Sequence, residues 1–191
     1  MLSEVTPVPD TALPLAEFKA HLRLGTGFGE AGLQDPVLSG FLRAALAAIE
    51  GRTGKALIVR DFMLEVRHWR DPAQMLLPIA PVRAVDTLLL RDAGGTETLV
   101  DPAAYQLEPD SQRPRLRPAG ALLPSIPAGG SARIALRAGM ASDWSSLPAD
   151  LGQAVMLLAA HYYEHRADTG LHGGCMPFGV QTLIERYRPM R

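Results

Sequence analysis

LPADLGQAVMLLAAHYYEHR, Leu147 to Arg166, is the stretch that decides how the chain is read: a long helix with a marked start and little polar surface. Pro148 suits a first helical turn, where its missing N–H would be unpaired anyway, and Asp150 sets a carboxylate beside the positive end of the helix dipole. At helical spacing Leu151, Ala154, Val155, Leu158 and Tyr162 form one apolar stripe. Met156, Leu157 and Tyr163 make much of the remaining circumference apolar. Such a helix needs cover on two sides. The second cover is either a β layer of the same subunit or a neighbouring subunit, for which Met156, Leu157 and Tyr163 are the candidate packing residues.

Upstream, PLAEFKAHLRL reads as a short amphipathic helix with Leu15, Phe18 and Leu22 on one face, started near Pro14 and ended by Gly25. The Gly-rich GTGFGEAGLQ that follows lacks the Gly-Lys-Ser/Thr ending of a phosphate loop and follows no strand, so it reads as a connector. Asp35 as N-cap and Pro36 in the first turn open a second long helix that runs to Thr53 and stops at Gly54. Its core stripe is Leu38, Leu42, Ala45 and Ile49. Its other side carries Gly40, Ala44, Ala47 and Gly51, small residues against which a second helix is expected to pack.

From Ala56 the apolar period changes from helical to two. ALIVRDFMLEVRHW places Ile58, Phe62, Leu64 and Val66 on one side of a strand that Pro72 breaks, with Met75–Leu77 as its resumption. VRAVDTLLLRD then leads through Gly94-Gly95 into TETLV, which reads as a hairpin. Tyr105–Glu108, Arg115–Arg117 and Ala132–Ala138 supply three further strands between Pro- and Gly-rich turns. No alternation of strand and helix occurs, which excludes a dinucleotide-binding fold. The expected class is α+β, with two N-terminal helices and the long C-terminal helix as core and an antiparallel β region inserted at about 56–139. The expected organisation is an extended arm over residues 1–13 that a partner would hold, one domain over 14–168, and a linker with a C-terminal docking tail over 169–191.

Composition narrows the function classes. The 191 residues suffice for one domain with a real core. A formal net charge of −1 argues against a bulk polyanion binder, while Lys19 and Lys55 are the only lysines among 19 basic residues, so contacts are expected to be planar Arg contacts. Cys175 is the single cysteine, which excludes an intrachain disulfide and fits a reducing compartment. The N-terminal MLSEVTPVPDTALP has no basic segment followed by an apolar run, and no apolar stretch is long enough to span a membrane, so a cytoplasmic type of protein without a membrane partner is expected.

The most enzyme-like constellation is His161, His165, His172 and Cys175, in which a helical His-x-x-x-His sets two imidazoles on one face and a nearby thiolate completes a zinc-like donor set. The competing reading is a helix flank and a loop, and no acidic base stands at the spacing of a metalloprotease. A Gly-x-Ser-x-Gly elbow is absent, so Ser142, Asp143, Ser145 and Ser146 read as a turn before the helix. Arg113, Arg115 and Arg117 alternate and in an extended segment project together, towards phosphate or as a solvated or subunit-facing edge. In VQTLIERYRPMR, Val180, Leu183 and Ile184 form an apolar edge too small to fold alone. With Tyr187 and Arg188 they are the candidate binding residues of the tail, the alternative being a tail folded onto its own subunit.

In their order, PLAEFKAHLRL, FLRAALAAIEGRTGKAL, LPIAPVRAVDTLLLRDAGG, LPADLGQAVMLLAAHYYEHR and PFGVQTLIERYR resemble the head–tail connector proteins (adaptor or head-completion proteins) of tailed bacteriophages and phage-like gene transfer agents. The chain departs from that family where a Gly-rich loop replaces an acidic segment, and at His161 and His165. The resemblance implies a non-enzymatic structural protein without cofactor or metal. It implies a ring of about a dozen copies under the capsid portal, joining head to tail, contacting the portal protein and the next tail or stopper component, and extending a channel through which double-stranded DNA passes without sequence recognition. It further implies a place at the head–tail junction of the particle, reached from the bacterial cytoplasm during assembly. Two rivals stand beside it: a zinc-dependent enzyme using His161, His165, His172 and Cys175, and a DNA-binding accessory protein.

Overall fold

The change of period at Ala56 is where the chain passes from helix to sheet, and it recurs in reverse before Leu147. The computed structural model describes residues 1–24, 34–166 and 176–189. It is α+β, with antiparallel sheets, and divides into two compact units, each made of two chain segments: Met1–Pro7 with Ile58–Met140, and Val8–Leu57 with Ala141–Arg191.

The first unit holds eight strands: β1 (Leu2–Glu4), β2 (Arg60–Val66), β3 (Met75–Leu76), β4 (Val82–Arg91), β5 (Glu97–Leu99), β6 (Tyr105–Glu108), β7 (Arg115–Pro118) and β8 (Ser131–Ala138). They form a five-stranded sheet in the order β1-β2-β8-β4-β5 and a three-stranded sheet in the order β3-β7-β6. The alternating pattern sets the register: Phe62 faces Leu136 and Leu64 faces Ile134, so that all four apolar side chains share the buried side. The hairpin read at Gly94-Gly95 joins β4 to β5, with Arg91 opposite Glu97. After β8 the chain turns at Gly139, whose φ of 148° suits glycine and whose missing Cβ leaves room for the Val59 backbone.

Two expectations are corrected here. Residues Leu2–Glu4 of the N-terminal arm are held by this chain's own β2, because β2 would otherwise leave its outer row of N–H and C=O groups unpaired. Met75–Leu76 does not resume β2. It pairs with β7 in the other sheet, since the break at Pro72 redirects the chain.

The second unit holds α1 (Leu15–His21), α2 (Asp35–Thr53), α3 (Ala149–Glu164) and α4 (Phe178–Ile184). The α3 stripe Leu151, Ala154, Val155 and Leu158 is buried, as is the α2 stripe Leu38, Leu42, Ala45 and Ile49, and the two helices pack together. Truncating Leu42 or Leu158 to Ala would cost about 2–5 kcal/mol. Gly54 ends α2 in the left-handed conformation, φ 65°, its N–H donating to the Glu50 carbonyl at 2.8 Å.

The helix ends differ in detail from the sequence reading. Gln34, not Asp35, is the cap residue of α2; Asp35 lies inside the first turn and pairs with Lys19 at 2.5 Å. Pro148 is the cap residue of α3 and lies outside its first turn. α1 stops before Leu22, with Arg23 at a φ of 55°, and the expected stop Gly25 lies outside the described residues, as does most of the Gly-rich connector. The side of α2 bearing Gly40, Ala44, Ala47 and Gly51 is exposed, and nothing described comes within 4 Å of a Cβ built at Gly40 or Gly51. The second helix expected there is therefore not supplied by the described residues; α3 takes the leucine side, where more apolar area is removed from water.

Candidate functional site

The C-terminal candidates divide by burial. Val180 and Ile184 are fully buried where α4 lies on α3, Leu183 and Tyr187 are half-buried, and Arg188 is exposed and pairs with Glu185 at 3.2 Å. The Tyr187 hydroxyl donates to Asp150 Oδ1 at 2.9 Å, and Arg186 binds Asp150 Oδ2 at 2.7 Å. Burial pushes the Tyr187 phenol up, the Arg186 hydrogen bond opposes this, and the Asp150 carboxylate adds to it. Asp150, read as a dipole partner of α3, thus also fastens the C-terminal segment. Phe178, which opens α4, is 83% exposed and was not singled out in the sequence, where it reads as part of a Gly-rich link.

Of the α3 packing candidates, Met156 is buried within the unit, while Leu157 and Tyr163 are half-buried. Tyr163 has two ring contacts: Phe41 of α2 meets it edge-on at 6.0 Å between ring centres, and the Arg166 guanidinium lies 4.5 Å from its ring centre.

The basic strand is less free than its spacing suggests. Arg115 and Arg117 lie on β7, two residues apart, and both engage Glu108 of β6, Arg117 closely and Arg115 at 3.9 Å; Arg115 also donates to Gln74 at 3.3 Å. The hydrogen bond from Arg117, followed by the charge of both arginines, holds the Glu108 carboxyl below its usual value. Arg113 precedes the strand and lines a groove of about 960 Å³ together with Arg67, Arg70 and Arg115. The aliphatic part of that groove is Leu64, Val66, Met75, Leu76 and Pro78. Sequence reading missed it because its residues come from four separate stretches, brought together by the pairing of β1 with β2, the pairing of β3 with β7 and the run of chain after β2.

Arg60 was also missed. It occupies a core-side position of β2, 8% exposed, held by Glu4 at 2.5 Å, by the Ile58 carbonyl at 3.1 Å and over the Phe62 ring at 4.8 Å. Its only signal in the sequence was a cation falling in phase with Ile58, Phe62 and Leu64.

His161 and His165 stand with ring centres 4.3 Å apart, and His165 Nδ1 lies 3.0 Å from the His161 carbonyl oxygen. His172 and Cys175 lie outside the described residues. Among the described residues no group of three His, Cys, Asp or Glu side chains is placed to hold a metal ion. The serine cluster is the turn it was read as. Asp143 caps the short 3-10 turn Trp144–Ser146 and accepts from the Ser145 hydroxyl, from the Ser146 hydroxyl and N–H, and from Ser142, which together hold its carboxyl far below the usual range.

No protein-family model and no curated protein sequence matches the chain. Solved structures do. A chain in the neck of an empty gene transfer agent particle, computed with C6 symmetry, is 56% identical, with 100% of this chain and 96% of that chain covered and a TM-score of 0.90. A chain in the virion of a native gene transfer agent particle is 56% identical over the same shares, with a TM-score of 0.87. A third, in the neck of a native particle computed with C12 symmetry, is 52% identical over the same shares, with a TM-score of 0.85. Identity at that level over the whole length, in a chain whose segments follow the connector order, makes this protein a member of the head–tail connector (neck adaptor) family of phage-like gene transfer agents.

Proposed function

We propose that the chain is a non-catalytic ring subunit that sits beneath the capsid portal, joins head to tail and extends the DNA channel. The observation that carries the reading is full-length identity of 52–56% to neck chains whose particles were computed with C6 and C12 symmetry, which supports a ring of twelve copies. A closed ring of one kind of subunit requires two different faces on each copy. Its partners are the portal protein on one side and a tail or stopper component on the other.

In functional terms the division is an adaptor body up to residue 168, in which Leu2–Glu4 already serves as a strand of the β unit, and 169–191 as linker and docking tail. Within the tail, Leu183, Arg188 and the exposed Phe178 are the residues offered to the portal or an adjacent copy, while Val180 and Ile184 hold α4 to its own unit. Duplex DNA passes and is not gripped: Arg115 and Arg117 share Glu108, which offsets one of their two charges and holds both guanidinium groups against β6.

The test is the mass of the purified chain by light scattering on a sizing column, alone and with portal protein. A large complex formed with portal is the expected result; a chain that stays a monomer or dimer in its presence overturns the reading. Because Val180 and Ile184 are core residues, tail docking is tested with Leu183→Asp and Arg188→Glu in place of a deletion. Undiminished portal attachment by both variants would sink it.

A further inference from the structure

We infer that the basic groove of the sheet-bearing unit receives the β5 edge of a second copy of this chain. The inference rests on the ring reading and assigns it an interface.

The groove combines two chemistries. Its aliphatic part includes Leu76, 55% exposed on the edge strand β3, and its rim carries Arg67, Arg70, Arg113 and Arg115 against the carboxylates of Glu65 and Asp71. In a chain of net charge −1 this is a local concentration of positive charge. Asp71 is further occupied in accepting from the Ala73 N–H at 2.9 Å. A phosphate backbone would use the rim and find nothing in the aliphatic part. An extended segment that is aliphatic and acidic uses both, and a bordering edge strand offers it main-chain partners as well.

The chain itself carries such a segment. Among the described residues the exposed large apolar side chains include Leu99, 59% exposed on β5, with Glu97 two residues before it and Asp101 two residues after. All three residues of β5 are exposed. The bonds from Asp92 N–H to the Thr96 carbonyl and from Val100 N–H to the Leu88 carbonyl identify which β5 residues face β4. By alternation the backbone groups of Glu97 and Leu99 point away from it, towards any added strand. Glu97, which accepts from Arg133 through Oε1 at 2.6 Å, is thereby held in place at this edge.

The segment does not serve its own groove. β5 closes one end of the five-stranded sheet, while Met1 and the Leu64–Val66 stretch, which line the groove, belong to the β1-β2 end. Four strand spacings, about 19 Å, separate the two edges. Edge and groove are therefore different faces of one subunit, and the pairing of one copy's edge with the next copy's groove is heterologous, the kind of contact that closes a ring.

The experiment places Leu76→Cys and Leu99→Cys together in a Cys175→Ser chain, assembles it with portal protein and oxidises it. Expected is a ladder of disulfide-linked multimers on a denaturing gel, absent from either single-cysteine chain. Assemblies of full mass without a ladder overturn the groove contact and leave the ring reading standing. Absence of a large complex from the unmodified chain overturns the ring reading and this inference with it. In parallel, Arg67→Glu with Arg70→Glu is expected to lower ring yield about tenfold without changing the far-ultraviolet circular dichroism. If that variant forms rings in full and instead loses about tenfold in affinity for a short duplex DNA, the groove is a polyanion site and the inference is wrong.

Discussion

The Tyr187 hydroxyl donates to Asp150 Oδ1 at 2.9 Å, so the last helical turn of the chain is tied to the first turn of α3, 37 residues earlier. The tie is polar and half-buried, while Ile184 beneath it is fully apolar contact. Tyr187→Phe should therefore destabilise the chain by about 1 kcal/mol and Ile184→Ala by about 2–4 kcal/mol. Urea unfolding measures both, and amide exchange in α4 should rise in each variant before exchange in α2 does.

Three phenols report the helical and β units from the alkaline side. Burial is the first cause of the raised values at Tyr105, Tyr162 and Tyr187. A phenol whose folded value is raised keeps its full contribution below the unfolded value of 10.0 and loses it as pH climbs through the folded value. Stability should thus fall with pH above 10, and a phenolate absorbance titration of the folded chain should place these three groups above their position in urea. A titration identical in both states would contradict the burial.

Asp143 gives the opposite sign. Its carboxyl is depressed, first by the Ser145 hydroxyl and then by Ser146, so the cap contributes fully above the ordinary aspartate value of 3.8 and is lost as pH falls through the lower folded value. Asp143→Asn should be less stable than the parent at neutral pH by a constant margin, and that margin should shrink in acid below about pH 4. Urea midpoints measured from neutrality into acid give the answer; a margin that widens in acid would refute the cap.

Glycine substitutions should separate space from conformation. Gly40 and Gly51 are helical, with nothing described near a built Cβ, so each change to Ala should stabilise the chain by about 0.5–1 kcal/mol. Gly139, at φ 148° with the Val59 backbone where a Cβ would go, should lose more than about 2 kcal/mol as Ala. Thermal midpoints of the three variants, moving in opposite directions, check the pair of statements.

The strands and long helices were legible because their signals are local. Alternation from Phe62 to Val66 and the glycine pair after Arg91 specify a strand and a hairpin without reference to distant residues, and Leu38, Leu42 and Ile49 mark a helix face by spacing alone. What was not legible depends on partners remote in sequence. Two residues, Met75 and Leu76, carry too little pattern to reveal which strand they join, and the groove exists only because β7 brings Arg115 beside them. Arg60 falls in phase with the apolar side of its strand, and the carboxylate that balances it stands 56 positions away at Glu4. The small-residue side of α2 was visible as composition, but composition does not say which helix, if any, the same chain supplies.

The central strand of the five-stranded sheet is also the last of its strands to be synthesised. β2 and β4 flank β8 without touching each other, so until Ser131–Ala138 emerges they share no partner. At ribosomal rates of about 5–20 residues per second, β2 waits roughly 4–16 s for the strand that completes it. During that interval the nascent chain presents two apolar strands with open edges. Translation itself therefore holds an interval in which this subunit's strand edges are open to pairing with other copies.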